Sequence, residues 1–327
     1  MKTHFRDSIR RGFTLMELMV AMAITTIIVT VLVSITSVSI EAWQKSRSEI
    51  RASRQGKAMT DSMAADFQAM VTRKGNSFEW LYADLSKDSD LPGNAKVKSN
   101  NAASLIFFSA PTDRYSNVTD QGGDVSCISY KLDYKDPVSG QASTSYDTFA
   151  MYRLLVEPNE TFNSLLGQTD LQTAFGTRTV SDVKNFVCEN VYQFTLKFNV
   201  EVQKASTSPN TPPTKQIVPV TLTRGPSSSG GGGGASGTTV TTAQSVQIFG
   251  NTLKVLDSNN TDFKTSLVTV DEMKAGRIVS VDISLTVLTD VGTNQLRVRT
   301  FKDDKEKAQF IAKNSYQFSK LVEVTSM

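Results

Sequence analysis

The sequence contains very little histidine and cysteine, which excludes several kinds of chemistry. Histidine occurs once among 327 residues, as His4, so the rest of the chain has no His-based catalytic dyad or cluster of His metal ligands. The two cysteines, Cys127 and Cys188, are too far apart for a CxxC redox motif or a zinc site. Nucleophile motifs, zinc signatures and EF-hand loops are also missing. We therefore expect no enzymatic activity, no metal and no cofactor.

A strong charge of one sign is also missing. The net charge is +3, and no run rich in Lys and Arg is present. Proteins that bind phosphate backbones usually carry such runs, so no nucleic-acid binding is evident. The apolar and charged fractions are ordinary for a folded protein, and the length allows one large domain or two small ones.

The two cysteines leave two interpretations open. Cys127 and Cys188 could form one disulfide if the folded part lies outside the cytoplasm. They could equally be two separate buried thiols, because cysteine packs well as a small apolar residue.

The N-terminal region combines a basic segment with a long apolar run. Residues 1–12 hold four basic residues and one acidic residue, and no residue from Leu18 to Ile40 is charged. That run exceeds the about 20 residues that cross a bilayer as a helix. By the positive-inside rule, the basic segment stays in the cytoplasm and the rest of the chain lies on the far side.

Two ordinary interpretations of this region compete. A secretory signal peptide could be cut after Ala21-Met22-Ala23, but its apolar core would be short, would contain Glu17, and the apolar run continues beyond it. An uncut signal anchor is the second alternative. A carboxylate near the start of a membrane helix is unfavourable, and a plain anchor gains nothing from Glu17.

The junction Gly12-Phe13-Thr14-Leu15-Met16-Glu17-Leu18 resembles the class III leader junction of type IV prepilins and pseudopilins. The resemblance implies that a prepilin peptidase cuts between Gly12 and Phe13 and that Phe13 is then N-methylated. It also implies assembly with other pilin-like subunits through the N-terminal helix. Glu17 would pair with the Phe13 amine of a neighbouring subunit, because opposite charges attract strongly in an apolar layer.

The residues after Ile40 continue as an amphipathic pattern. We expect a leader at 1–12, a transmembrane helix at 13–40 and an amphipathic continuation at 41–75, which ends near Gly75. Two helices broken near Gly56 are the alternative, because glycine is unfavourable within a helix. The apolar face is predicted to contain Trp43, Ile50, Met59, Met63, Phe67, Met70 and Val71.

Residues 11 to about 75 further resemble J-type minor pseudopilins, W-type minor pilins and the C component of the Verru_Chthon cassette. The fold implied is α+β and pilin-like, with a long N-terminal helix packed on an antiparallel β-sheet domain.

Residues 76–327 are expected to form the β-rich globular domain, with a short helix within 161–175. A Pro-, Ser- and Gly-rich insertion is expected at 203–244, containing one short strand. Strands are predicted from β-branched and aromatic alternation at Ser104–Ala110, Val125–Tyr134, Phe149–Val156, Val191–Val202, Gln216–Thr223, Val246–Leu256 and Ile278–Leu288.

The expected function is that of a minor pseudopilin-like assembly subunit in a type II secretion or related envelope fibre. A minor pilin of a surface type IV pilus, used for adhesion or DNA uptake, is the alternative in the same class. A membrane-anchored extracytoplasmic binding protein is the alternative in a different class. All three are consistent with a single-pass protein of the bacterial inner membrane, with its N-terminus in the cytoplasm and its body outside.

Overall fold

The computed structural model describes residues 14–94, 97–111, 125–142, 145–176, 178–204, 214–224, 241–263, 265 and 268–324. The chain divides into two compact units, Met1–Glu49 and Ile50–Met327. The first unit holds the apolar part of a long helix. The second, called the body below, holds the remainder of that helix and all of the strands.

The described elements alternate little between helix and strand, which is typical of an α+β fold. The helices are α1 (Leu15–Gln68), α2 (Pro158–Glu160), α3 (Leu171–Phe175), α4 (Val270–Lys274), α5 (Asp290–Val298) and α6 (Asp304–Lys313). The strands are β1 (Glu79–Leu85), β2 (Ala103–Ser109), β3 (Ser126–Lys135), β4 (Thr148–Val156), β5 (Phe186–Glu189), β6 (Val191–Lys204), β7 (Thr214–Leu222), β8 (Thr241–Ala243), β9 (Ser245–Phe249), β10 (Leu253–Leu256), β11 (Arg277–Leu288) and β12 (Ser315–Glu323).

The strands form two sheets. The first has seven strands in the order β10-β9-β1-β2-β3-β4-β5, and every neighbouring pair is antiparallel. The second has five strands in the order β12-β11-β6-β7-β8, antiparallel except for the short β7–β8 pair. The α+β architecture with a long N-terminal helix and antiparallel sheets is confirmed.

The main core lies between the two sheets and the body part of α1. Inward-facing residues of both sheets join one buried cluster with the helix side chains Ala52, Met59, Met63, Ala64 and Phe67. A second cluster covers the other face of the seven-stranded sheet, where residues 165–180 pack on Trp80, Tyr152 and their neighbours. The seven-stranded sheet is therefore buried on both faces. The five-stranded sheet carries polar side chains such as Lys197 and Asp282 on its outer face.

Helix α1 is continuous through Gly56, so the predicted break there does not occur. A Cβ at this position would lie 2.2 Å from a ring carbon of Phe318, so the glycine lets β12 approach the helix closely. The helix ends at Gln68, earlier than the expected end near Gly75, because Met70 already forms a β-bridge with Ser109. Two members of the predicted apolar face, Trp43 and Ile50, are exposed instead of buried.

Other boundaries also differ from the expectations. The segment expected as one strand at Val246–Leu256 is a hairpin, in which the Phe249 N–H donates to the Thr252 carbonyl oxygen at 2.8 Å. Helix α2, a π-helical turn at Thr161–Leu165 and α3 occupy the region of the expected short helix. Within residues 203–244, the described parts include β7, nine residues long, and β8.

Candidate functional site at the start of the long helix

The first turn of α1 is closed by a reciprocal pair of side chains. The Thr14 N–H and hydroxyl donate to Glu17 Oε2 at 2.9 and 3.0 Å, and the Glu17 N–H donates to Thr14 Oγ1 at 3.2 Å. This arrangement is a capping box, which satisfies backbone donors that have no partner within the helix. Among the described residues, the contacts of the Glu17 carboxylate are made by Oε2, so Oε1 can still accept a hydrogen bond.

Six of the hydroxyl groups that follow are satisfied within the helix. Each donates to the backbone carbonyl oxygen four residues earlier at 2.8 to 3.0 Å. This holds for Thr25, Thr26, Thr30, Ser34, Thr36 and Ser39. In a bilayer there is no water to replace such bonds, so this local pairing makes the hydroxyls tolerable in an apolar environment.

Side chains from Thr14 to Arg47 are exposed, although most are apolar up to Ile40. By length and composition, α1 can cross a membrane, and no residue of its most apolar 18-residue stretch is buried. Glu17 lies in its first turn, and the next charged residue along the chain is Glu41. This segment therefore presents to its surroundings a surface that water disfavours and lipid accepts.

Comparison with known families adds a sequence match to this geometry. A family described as the prokaryotic N-terminal methylation motif matches residues 7–33, which include Gly12, Phe13 and Glu17. The chain carries a type IV pilin-like prepilin signal. No curated protein and no solved structure matches the chain.

The prepilin signal and the apolar helix have joint consequences. The signal supports a type IV pilin-like or pseudopilin protein in general, and its family is structural, not enzymatic. It implies processing by a prepilin peptidase and assembly with other pilin subunits. Together with the apolar helix, it fits inner-membrane anchoring with an extracytoplasmic body.

The predicted site residues are only partly described. Gly12 and Phe13 lie outside the described residues, so the cleavage site stays a prediction. Glu17 lies in the first turn of α1, where its described contacts are with Thr14.

The two cysteines are free and buried, so the structure has two separate thiols in place of the alternative disulfide. Cys127 on β3 and Cys188 on β5 are separated by β4, and they pack into clusters on opposite faces of the sheet. Their partners on β4, Val156 and Met151, lie five residues apart. The cysteines are therefore roughly 17 Å apart along the strands, and a disulfide needs Cα atoms within about 7 Å. Burial raises the pKa of both thiols, which lowers their reactivity.

A buried ion pair in the body was missed by the sequence interpretation. Arg153 on β4 donates from Nε and Nη2 to the two carboxylate oxygens of Asp66 on α1, both at 2.8 Å. The Tyr130 hydroxyl donates to the same carboxylate, and both charged side chains are less than a tenth exposed. Burial, and then the Asp66 charge, raise the pKa of Tyr130 well above its usual value. This bidentate pair fastens the C-terminal end of α1 to the seven-stranded sheet.

A second polar contact fastens α1 further toward its N-terminus. Arg51 forms ion pairs with Glu189 at the end of β5 and, at 3.5 Å, with Asp290 at the start of α5. Asn190 has a φ of 62°, a left-handed conformation that asparagine adopts more readily than most residues. Its amide donates to Asp290 at 2.8 Å. Arg51 therefore contacts the point where the chain passes from the first sheet to the second.

Among titratable groups of the body, Glu79 has an unusual proton affinity. Its side chain is buried, Oε2 accepts from the Leu171 N–H at 2.6 Å, and the Glu79 N–H donates to the Gln168 carbonyl oxygen at 2.8 Å. Burial, opposed by the Leu171 hydrogen bond, raises the pKa of Glu79 to about 7. These contacts hold the loop before α3 on the sheet. Within the described part of the chain, no group of three or more His, Cys, Asp or Glu side chains could hold a metal ion.

Proposed function

We propose that this chain is a minor pseudopilin-like assembly subunit of a type II secretion or related envelope fibre. The observation that carries the proposal is the coincidence of the prepilin signal at residues 7–33 with an apolar helix that has Glu17 in its first turn. We further propose that residues 1–12 are removed, that residues 13–40 cross the inner membrane, and that the body lies outside the cytoplasm.

Cleavage supplies the partner that Glu17 needs. A cut between Gly12 and Phe13 creates an amine at the start of the apolar helix. In a fibre, Glu17 of one subunit accepts a hydrogen bond from the Phe13 amine of its neighbour through Oε1, while Oε2 keeps its bonds to Thr14. An unpaired carboxylate in an apolar layer is unfavourable, so the pair favours one stagger between neighbouring helices.

Mass spectrometry of the mature N-terminus tests the processing step. We expect the chain purified from membranes to begin with N-methylated Phe13. A Gly12→Val variant should keep its leader, because the added branched side chain obstructs the peptidase, while Gly75→Val, a control outside the signal, should be processed normally. An intact leader on the unaltered chain, or a start at Ile24 or later, would refute the proposal.

Crosslinking in membranes tests the assembly step separately. We expect Glu17→Gln to be processed normally but to crosslink less to other pilin-like subunits, because the neutral amide loses the attraction to an amine. Glu41→Gln, the next acid along the chain, is the matched control. Equal crosslinking of the unaltered chain, Glu17→Gln and Glu41→Gln would exclude the pairing role.

A membrane-anchored binding protein, whose body would bind a ligand without entering a fibre, is the alternative function of another class. The two functions differ in whether processed chains associate through the apolar helix. Genes for other prepilin-like proteins and a secretion ATPase beside this one would favour the fibre. Processed chains that stay monomeric in the membrane would favour the binding protein.

A further inference from the structure

The body contains an open groove of about 490 Å³ where α1 ends and the two sheets meet. One side is formed by Met70 and residues 72–74, which follow α1. The β9–β10 hairpin, at 248–253, forms another side, and the ends of β6, β7 and β11 close the third. The groove thus lies entirely within the body.

The rim of the groove is basic. Arg73, Lys74, Lys215 and Arg277 line it, and Glu201 is the one acidic residue among the lining residues. Glu201 forms ion pairs with Arg277, at 3.0 Å, and with Lys215, at 3.3 Å, so two cations share one carboxylate. Among the described residues, Arg73 and Lys74 form no ion pair, and both are exposed. The rim therefore keeps an excess of positive charge for an anionic ligand.

The floor of the groove is apolar. Met70, Leu253, Ile278 and Val324 line it, and each is less than a tenth exposed. Half-buried Ile248 and Phe249 extend this surface along the hairpin. A simple inorganic anion would use the rim and leave this apolar surface uncovered.

We propose that this groove binds an acidic segment of a partner protein, with an apolar side chain of that segment on the floor and its carboxylates at the rim. Charge complementarity and the alternation of apolar floor and basic rim favour such a peptide. A nucleic-acid strand fits less well, because strand-binding grooves combine basic residues with several stacking aromatic rings, and Phe249 is the one aromatic residue of this lining. The proposal is independent of the fibre role.

Fluorescence anisotropy with the full chain in detergent micelles tests the proposal. The probe is a short fluorescein-labelled peptide of repeated Asp-Leu-Glu units. The comparison probes are a peptide of repeated Asp-Ser-Glu units and a single-stranded oligothymidylate. We expect the Asp-Leu-Glu peptide to bind most tightly, and its affinity to fall as salt is added.

The variant Arg73→Glu/Lys74→Glu reverses two exposed charges at the rim and should weaken binding of the Asp-Leu-Glu peptide by about tenfold or more. The matched control, Lys305→Glu/Lys313→Glu, reverses two exposed charges on α6 and changes the net charge equally. It should weaken binding by less than about twofold. In a Trp43→Phe background, retained fluorescence of buried Trp80 checks that both variants are folded.

Four results would overturn the proposal. They are no binding of the Asp-Leu-Glu peptide, equal weakening by the rim variant and the control, equal affinity for the Asp-Ser-Glu peptide, or tighter binding of oligothymidylate. Equal weakening by the two variants would mean that the peptide is attracted to the overall charge. Equal affinity for the Asp-Ser-Glu peptide would mean that the floor is unused. Tighter binding of oligothymidylate would mean that the groove recognises phosphates.

Discussion

The apolar part of α1 and the body satisfy their polar groups in different ways. In the apolar part, Thr14 pairs with Glu17 and each described hydroxyl bond reaches a carbonyl oxygen four residues earlier. In the body, Asp66 pairs with Arg153, which lies 87 residues further along the chain. The first region is therefore stabilised by contacts between residues close in the sequence, and its apolar surface is available to other molecules. The second depends on distant contacts, so substitutions that break a buried contact of this kind should destabilise the body.

Removing the carboxylate of Asp66 should have the largest effect on the body. Asp66→Ala leaves the buried Arg153 guanidinium and the Tyr130 hydroxyl without their shared acceptor, and breaking such a pair costs about 3–5 kcal/mol of unfolding free energy. Urea unfolding in detergent, followed by Trp80 fluorescence in a Trp43→Phe background, measures it. Asp61→Ala on the same helix removes only an exposed ion pair with Lys320 and should cost less than about 1 kcal/mol. An unchanged midpoint for Asp66→Ala would show that the pair does not hold α1 to the sheet.

The same methionine substitution in the two regions tests the comparison directly. Met63 is fully buried in the main core, and Met63→Ala should lower the unfolding free energy of the body by about 2–5 kcal/mol. Met22 is 64% exposed in the apolar part, and Met22→Ala should change that free energy by less than about 0.5 kcal/mol. The same urea experiment measures both. Similar losses for the two variants would mean that the apolar part and the body unfold as one unit.

The pKa of Glu79 predicts that the body is more stable in mild acid. The folded-state pKa is about 7 and the ordinary value is 4.5, so between these values the folded protein holds a proton that the unfolded chain releases. This contribution is complete below pH 4.5 and is lost as the pH rises through about 7. The pKa difference limits the loss to about 3 kcal/mol.

Urea midpoints at about pH 5 and about pH 8 measure this dependence on protonation. Glu79→Gln should reduce the difference between the two midpoints, because a neutral amide does not titrate. Glu17→Gln, in the apolar part of α1, is the control and should leave the difference unchanged. If Glu79→Gln kept the full difference, other groups would be responsible for it.

The smallest expected effect concerns Gly56. A Cβ there collides with the Phe318 ring, which costs about 1–3 kcal/mol, while alanine recovers about 1 kcal/mol of helix propensity. We expect Gly56→Ala to lower the unfolding free energy by up to about 2 kcal/mol. In a Phe318→Ala background, it should instead raise that free energy by up to about 1 kcal/mol. Destabilisation in both backgrounds would mean that the ring is not the reason for the glycine.

Strand prediction from the sequence succeeded for strands that are rich in β-branched and aromatic residues, such as β2, β4 and β11. β11 alternates between buried and partly exposed residues, and its expected position, Ile278–Leu288, is one residue short of the observed strand. β1 was missed because it contains Glu79, Ala83 and Asp84, residue types that are uncommon in strands. β12 was missed because it is an edge strand with mostly exposed polar residues. The sequence indicates a possible break at Gly56 because glycine is unfavourable within a helix, and the close contact with β12 arises only in the folded chain.

The prepilin signal and the apolar length of the helix can be read from the sequence alone. These features depend on residues next to each other, and the hydrogen bonds of the helix close within four positions. Three other features arise only when the chain is folded: Asp66 faces Arg153, the two cysteines lie on opposite faces of a sheet, and four basic residues surround one apolar groove. These depend on strand order and register, which bring together segments far apart in the chain.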